Sequence, residues 1–157
     1  MIFSLVTSFL NADTLQIGSP APDVSTIDHE GNKINLGKAL NEGTTVLFFY
    51  PKAMTPGCTQ QACSLRNSWD ILQERGVKVF GVSSDTDKAQ KKFREKYQLP
   101  FTLIADTDQA VSKTFGKNKW SRQAYIFKNG KLVWRDLKAS TAKQADDILS
   151  ALDAIEN

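Results

Sequence analysis

The apolar positions of the chain fall into two kinds of run. Residues 44 to 51, TTVLFFYP, form an unbroken β-branched and aromatic stretch, the pattern of a strand buried on both faces, and Pro51 ends it. VKVFGVSSD (77 to 85) and FTLIAD (101 to 106) predict two further strands of this kind. Between them the apolar residues are spaced for helices. From Cys58 onward, Ala62, Leu65, Trp69 and Leu72 predict one helix, which Gly76 stops after Arg75. Ala89, Phe93 and Tyr97 form the inner stripe of a helix through DKAQKKFREKYQ, and Gly116 closes a short helix after the third strand. VSTIDHEGNKINL reads as a hairpin turning at DHEGN, and RQAYIFKNGKLVWR (122 to 135) as a second one, where Asn-Gly favours a tight primed turn. In the last helix Thr141 and Gln144 are spaced as a capping box, with Ile148, Leu149, Leu152 and Ile155 on one face.

This order predicts an α/β fold: a central mixed sheet flanked by helices on both sides, in the thioredoxin-like pattern with an N-terminal β-hairpin added. One domain is expected over residues 15–157, entered by the extended LQIGSPAPDV. Residues 1–14 form an apolar extension. MIFSLVTSFLNA has no basic residue before its apolar run, and Leu10 is large where a cleavage site takes a small residue. A strand or extension packed on the domain is therefore expected, with a cytoplasmic location; export or an organelle is the alternative reading of the same segment.

Composition narrows the chemistry. The 157 residues are 41% apolar and 24% charged, as in ordinary globular proteins, and the net charge of +3 gives no reason to expect nucleic acid. Lys88, Lys91, Lys92, Arg94 and Lys96 read as a solvated basic face. No apolar run reaches membrane-spanning length. Two cysteines and one histidine make neither a disulfide scaffold nor a zinc site without added carboxylates, so no metal and no cofactor are expected. The histidine, His29, sits in the turn-like DHEGNK and is expected to face solvent.

The two cysteines lie together in YPKAMTPGCTQQACSLR (50 to 66). A buried strand, a turn containing TPG and then a helix put Cys58 in the first helical turn, where unpaired amides and the positive end of the helix dipole favour a reactive thiolate. The alternative is a small buried core residue, which suits Cys63, beside Ala62, better than Cys58. Five residues along a helix advance about 7.5 Å and turn roughly 140°. A disulfide needs Cα atoms within about 7 Å and converging side chains. Cys58 and Cys63 therefore cannot bond in an intact helix, and a bond between them would mark a moving part.

PKAMTPGC carries Pro51, Thr55 and Cys58 in the PxxxTxxC pattern of peroxiredoxins, and TPGCTQQAC resembles the peroxiredoxin Q or bacterioferritin-comigratory subfamily. The resemblance continues through KKFREKYQLPFTLIADTD and SRQAYIFKNGKL. It implies a thiol-dependent peroxidase that reduces hydrogen peroxide and organic hydroperoxides. Cys58 would be the peroxidatic cysteine, oxidised to a sulfenic acid. Thr55 would share a hydrogen bond with the thiolate and orient the peroxide, Arg122 would hold the thiolate and polarise the peroxide, and Pro51 would shield the pocket. Cys63 would be the resolving cysteine, forming an intramolecular disulfide that a thioredoxin- or glutaredoxin-like reductant recycles. A monomer is implied, with no nucleic-acid or membrane partner.

Considered singly, Thr55 is a helix cap, Pro51 a strand terminator and Arg122 a surface charge. Trp120 lines a pocket rim or simply packs, and Trp69 and Trp134 read as core or hairpin-face residues. Ala124 stands where the pattern has Ser or Thr, and Gln90 where relatives often have histidine. The other readings are a disulfide reductase, whose CxxC is absent, a redox sensor that hands its disulfide to a partner protein, and a catalytically silent binding module.

Overall fold

The computed structural model describes residues 14–156, so the extension expected over 1–14 lies outside it save for Thr14. The run TTVLFF becomes β3 (Thr44–Phe49) at the centre of a five-stranded sheet. It is parallel to β4 (Val77–Ser83) and antiparallel to β6 (Gln123–Lys128). β5 (Thr102–Ala105) flanks β4 and β7 (Lys131–Asp136) flanks β6, giving the order β5-β4-β3-β6-β7. Successive strand side chains point to opposite faces. Val46 and Phe48 thus join Ala62 and Leu65 of α2 (Pro56–Asn67), Phe93 of α4 (Asp87–Lys96) and Ile148 and Leu152 of α6 (Gln144–Glu156) in one core. Leu47 and Phe49 join Leu36 and Leu40 of α1 (Leu36–Leu40) and Val111 of α5 (Ala110–Thr114) in the other. Each such fully buried side chain larger than alanine contributes about 2 kcal/mol.

Asn129 and Gly130 both take positive φ (48° and 82°), as the primed turn between β6 and β7 requires. β1 (Ser25–Ile27) and β2 (Lys33–Asn35) form the separate N-terminal hairpin. Both outer edges of the sheet are covered, which removes templates for pairing with other chains. Along β7, Gly18 N–H donates to Leu132 O (2.8 Å), Leu132 N–H to Ser19 O (2.9 Å) and Ala21 N–H to Gly130 O (2.7 Å). Along β5, the β1–β2 turn folds over, and Leu103 N–H donates to His29 Nδ1 (3.2 Å). His29 is therefore not a solvent-facing turn residue: it is 8% exposed and completes the edge strand.

Three further expectations are corrected. The helix from Cys58 to Leu72 is two helices, α2 and α3 (Trp69–Glu74), joined at Ser68, whose N–H reaches only to Leu65 O. Asn67 and Ser68 compete for backbone hydrogen bonds and hold helices poorly. In α4 the fully buried positions are Gln90 and Phe93, not Ala89. The capping box of α6 does not form. Ser140 Oγ accepts from Lys143 N (3.1 Å), the helix starts at Gln144 itself, and the Gln144 amide turns inward.

Candidate active site

Central strand β3 delivers the chain to the site. Beyond it, Tyr50 N–H still bonds Val82 O (3.0 Å), and its hydroxyl donates to Gln90 Oε1 (2.6 Å) while Gln90 Nε2 donates to Ile104 O (2.8 Å). Burial pushes the Tyr50 hydroxyl far above its ordinary value, so it remains a neutral donor. Gln90 is thus a satisfied buried amide that fixes the end of the strand.

The loop after Pro51 is anchored by Asp85, whose Oδ2 accepts from Ala53 N (2.7 Å) and Ser83 Oγ (2.6 Å). Met54 then takes φ 68°, a left-handed conformation unusual for a side chain of this size and of the kind found at functional sites. Thr55 occupies the N-cap of α2 but makes no side-chain cap bond; its Oγ1 donates to Lys52 O (2.7 Å). The capping role is therefore excluded, and the first-turn amides are left without that partner. Pro56 opens the helix, where a missing N–H costs nothing.

Cys58 follows in the first turn and is 1% exposed. Arg122, just before β6, brings Nη1 to 3.5 Å from Cys58 Sγ and 2.6 Å from Gln61 Oε1. Gly57 makes room for it: a Cβ there would lie 3.1 Å from Arg122 Nη2 and 3.4 Å from Thr141 Cγ2. The backbone of Arg122 is tied as well, since Ala139 N–H donates to its carbonyl (2.9 Å). Gln61 Nε2 in turn donates to Gln144 Oε1 (2.6 Å), and both amides are fully buried. An anion at sulfur thus meets a fixed guanidinium and the positive end of a helix.

Of the sequence-predicted residues, Cys58 and Arg122 are in contact, and Thr55 lies one turn ahead of Cys58 in the same segment. Pro51 lines a cleft of about 220 Å³ with Lys52, Ser84, Asp85, Lys119 and Trp120. Trp120 is 66% exposed there, with Lys119 Nζ 4.8 Å from its ring centroid, so it is a rim residue rather than packing. Cys63 is half-buried in the intact α2, and both cysteines are free. This reverses their expected burial. Cys58 lies in phase with Ala62 and Leu65 on the inner stripe, while Cys63 is one position off it. Gln61, Asp85, Gly57 and Gln144 carry site contacts that the sequence reading did not assign. Gln61 and Gly57 were visible inside the TPGCTQQAC motif, whereas nothing local marked Asp85 or Gln144.

A helix-borne cysteine facing an arginine, on a thioredoxin-like sheet with an added hairpin, defines a thiol-based redox protein of peroxiredoxin type. The chain belongs to the AhpC/TSA family, whose model matches residues 17–135. It is 42% identical over 114 residues to peroxiredoxin Bcp of Escherichia coli strain K12, covering 73% of this chain and 71% of that one. It is 34% identical over 148 residues to the chloroplastic peroxiredoxin Q of Sedum lineare, covering 88% and 78%. The crystal structure of peroxidoxin BcpB from Mycobacterium tuberculosis superposes with a TM-score of 0.83 at 30% identity, covering 91% of this chain and 99% of that one. The bacterioferritin comigratory protein of Xanthomonas campestris, studied for alkyl peroxide reduction, gives 0.82 at 27% identity, covering 92% and 99%.

Proposed function

We propose that the protein is a thiol peroxidase in which Cys58 attacks the peroxide and Cys63 resolves the product. The Cys58 thiolate attacks the terminal oxygen of ROOH and displaces the alkoxide RO−. The O–O bond breaks, an S–O bond forms, and ROH leaves after protonation, with sulfur oxidised to the sulfenic acid. Charge grows on the leaving oxygen as it is lost from sulfur, so a guanidinium beside Sγ is favourable throughout the step. The Thr55 proton is committed to Lys52 O, leaving its oxygen to accept from the peroxide O–H. Pro51 shields the sulfur from water.

Cys63 then condenses with the sulfenic acid, losing water and forming the Cys58–Cys63 disulfide, for which the first turns of α2 must open. Two thiols of a thioredoxin-type reductant return both cysteines to the reduced state by exchange, and the cycle runs within one chain. The observation that carries this reading is the 3.5 Å approach of Arg122 Nη1 to a nearly inaccessible sulfur at the head of a helix.

The test is the intact mass and thiol count of the reduced protein after one equivalent of hydrogen peroxide. Loss of two hydrogens, with both thiols gone and the chain still monomeric, is expected. An unchanged mass with two titratable thiols overturns the reading.

A further inference from the structure

We propose that Gln144, at the head of α6, is a positioning residue that holds Arg122 against Cys58 through Gln61. The inference rests on the peroxidatic reading of Cys58. Its argument is one of donors and acceptors. Arg122 can only donate, so its 2.6 Å bond obliges Gln61 to turn Oε1 toward it. Gln61 Nε2 must then face the opposite way, into a fully buried space, where it requires an acceptor. Gln144 Oε1 supplies that acceptor at 2.6 Å.

The arrangement has a cost. With its oxygen committed to Gln61, Gln144 is left with a buried Nε2 that has no partner among the described residues. An apolar residue of the same shape would remove that orphan donor. The same side chain also gives up the capping box that its spacing from Thr141 would permit. An amide kept here with one donor unpaired and against the local helix signal is explained by the one bond it makes. Gln144 thereby does at the guanidinium what Ala139 N–H, five residues earlier in the same segment, does at the Arg122 carbonyl. Residues 139–144 hold the arginine at both ends.

Without the Gln144 oxygen, the Gln61 amide gains by turning its nitrogen elsewhere, and the guanidinium loses its partner and drifts from sulfur. Gln144→Met keeps the length of the side chain but removes the acceptor. It exchanges one orphan donor, Gln144 Nε2, for another, Gln61 Nε2, so the melting temperature should hold. Gln144→Glu keeps an acceptor oxygen toward Gln61.

The experiment measures three quantities on wild type and both variants: the single-turnover rate with hydrogen peroxide, the alkylation rate with iodoacetamide, and the melting temperature. Iodoacetamide needs an accessible thiolate but no group polarising an O–O bond. For Gln144→Met the peroxide rate should fall about tenfold, the low end of what partners that orient a metal's ligands contribute elsewhere. Alkylation of Cys58, told apart from that of the half-buried Cys63 by peptide mass, should fall much less than the peroxide rate, and Gln144→Glu should recover most of the peroxide rate. Equal losses in both reactions, equal losses in both variants, or an undiminished peroxide rate in folded Gln144→Met would overturn the proposal. A wild type inert to peroxide would instead overturn the reading of Cys58 itself, and this inference with it.

Discussion

Gly57 is the residue at which stability and activity pull apart most cleanly. It stands in the first turn of α2 with no positive φ to justify it, and the space over its Cα is filled by Arg122 Nη2. Gly57→Ala should leave stability little changed, because the gain of about 0.4–1 kcal/mol from restricting the unfolded chain is offset by loosening the Arg122–Gln61 bond. The Cβ would meet the end of a flexible side chain, which yields by swinging away. The same substitution should therefore slow the reaction with peroxide by roughly tenfold, less than the hundredfold or more lost when such a donor is removed outright. Chemical denaturation and stopped-flow oxidation on the same preparation check both halves. A slower enzyme that is also much less stable would show that the glycine serves packing alone.

At the scale of elements, α2 is the part that has to change. It is one intact helix with Cys58 in its first turn and Cys63 more than a turn later, both free. A disulfide between them requires that segment to unwind, and Gln61, which lies between them, must then leave both Arg122 and Gln144. Hydrogen exchange should accordingly speed up on oxidation at amides 58–64 and also at the first turn of α6, while β3 and β4 stay protected. Unaltered protection in α2 after disulfide formation would contradict the intact-helix geometry. Cys63→Ser should react once, remain a sulfenic acid and proceed with further peroxide to the sulfinic state, read as mass gains of one and then two oxygens. Normal cycling of that variant with a thioredoxin system would remove Cys63 from the mechanism.

At the scale of the whole molecule, the sheet survives as a closed unit because its two edges are occupied, by residues 18–21 and by the β1–β2 turn. The second cover is sensitive to pH. Burial, and then the Arg94 cation, hold His29 below its ordinary value of 6.5, against the opposing pull of Asp28 and Glu30. The neutral ring accepts from Leu103 N–H, and protonation of Nδ1 abolishes that bond. Because the folded value is the lower one, the unfolded chain binds the proton first as pH falls. The stabilisation is complete above about pH 6.5 and is lost as pH drops through the lowered folded value. Urea midpoints measured from pH 7.5 to 4.5 should decline over that interval in wild type. His29→Ala should cost about 1–3 kcal/mol at pH 7 by leaving a buried N–H unpaired, and its midpoints should decline less over the same interval.

Reading the chain in order recovered whatever is encoded between near neighbours. The apolar run of β3, the Asn129-Gly130 turn and the helix stops at Gly76 and Gly116 depend on local sterics and periodicity, and they appear where expected. Cys58 at the head of a helix was legible for the same reason, as was the need to unwind α2, since both follow from helical geometry. The misreadings are of two kinds. The helix break at Ser68 and the relative burial of Cys58 and Cys63 follow from local residues and helical phase, whereas His29 and Gln144 were judged from adjacent residues but are decided by a surface contributed from elsewhere in the chain. Arg122 meets Cys58 across 64 positions and Gln61 meets Gln144 across 83. The sequence by itself determined most of the elements, their order and the cysteine at the head of α2, because propensity and spacing act over a few residues. Only the tertiary structure decided which polar side chains are taken from solvent and must find one another, because a buried donor has to be paired wherever in the chain its acceptor lies.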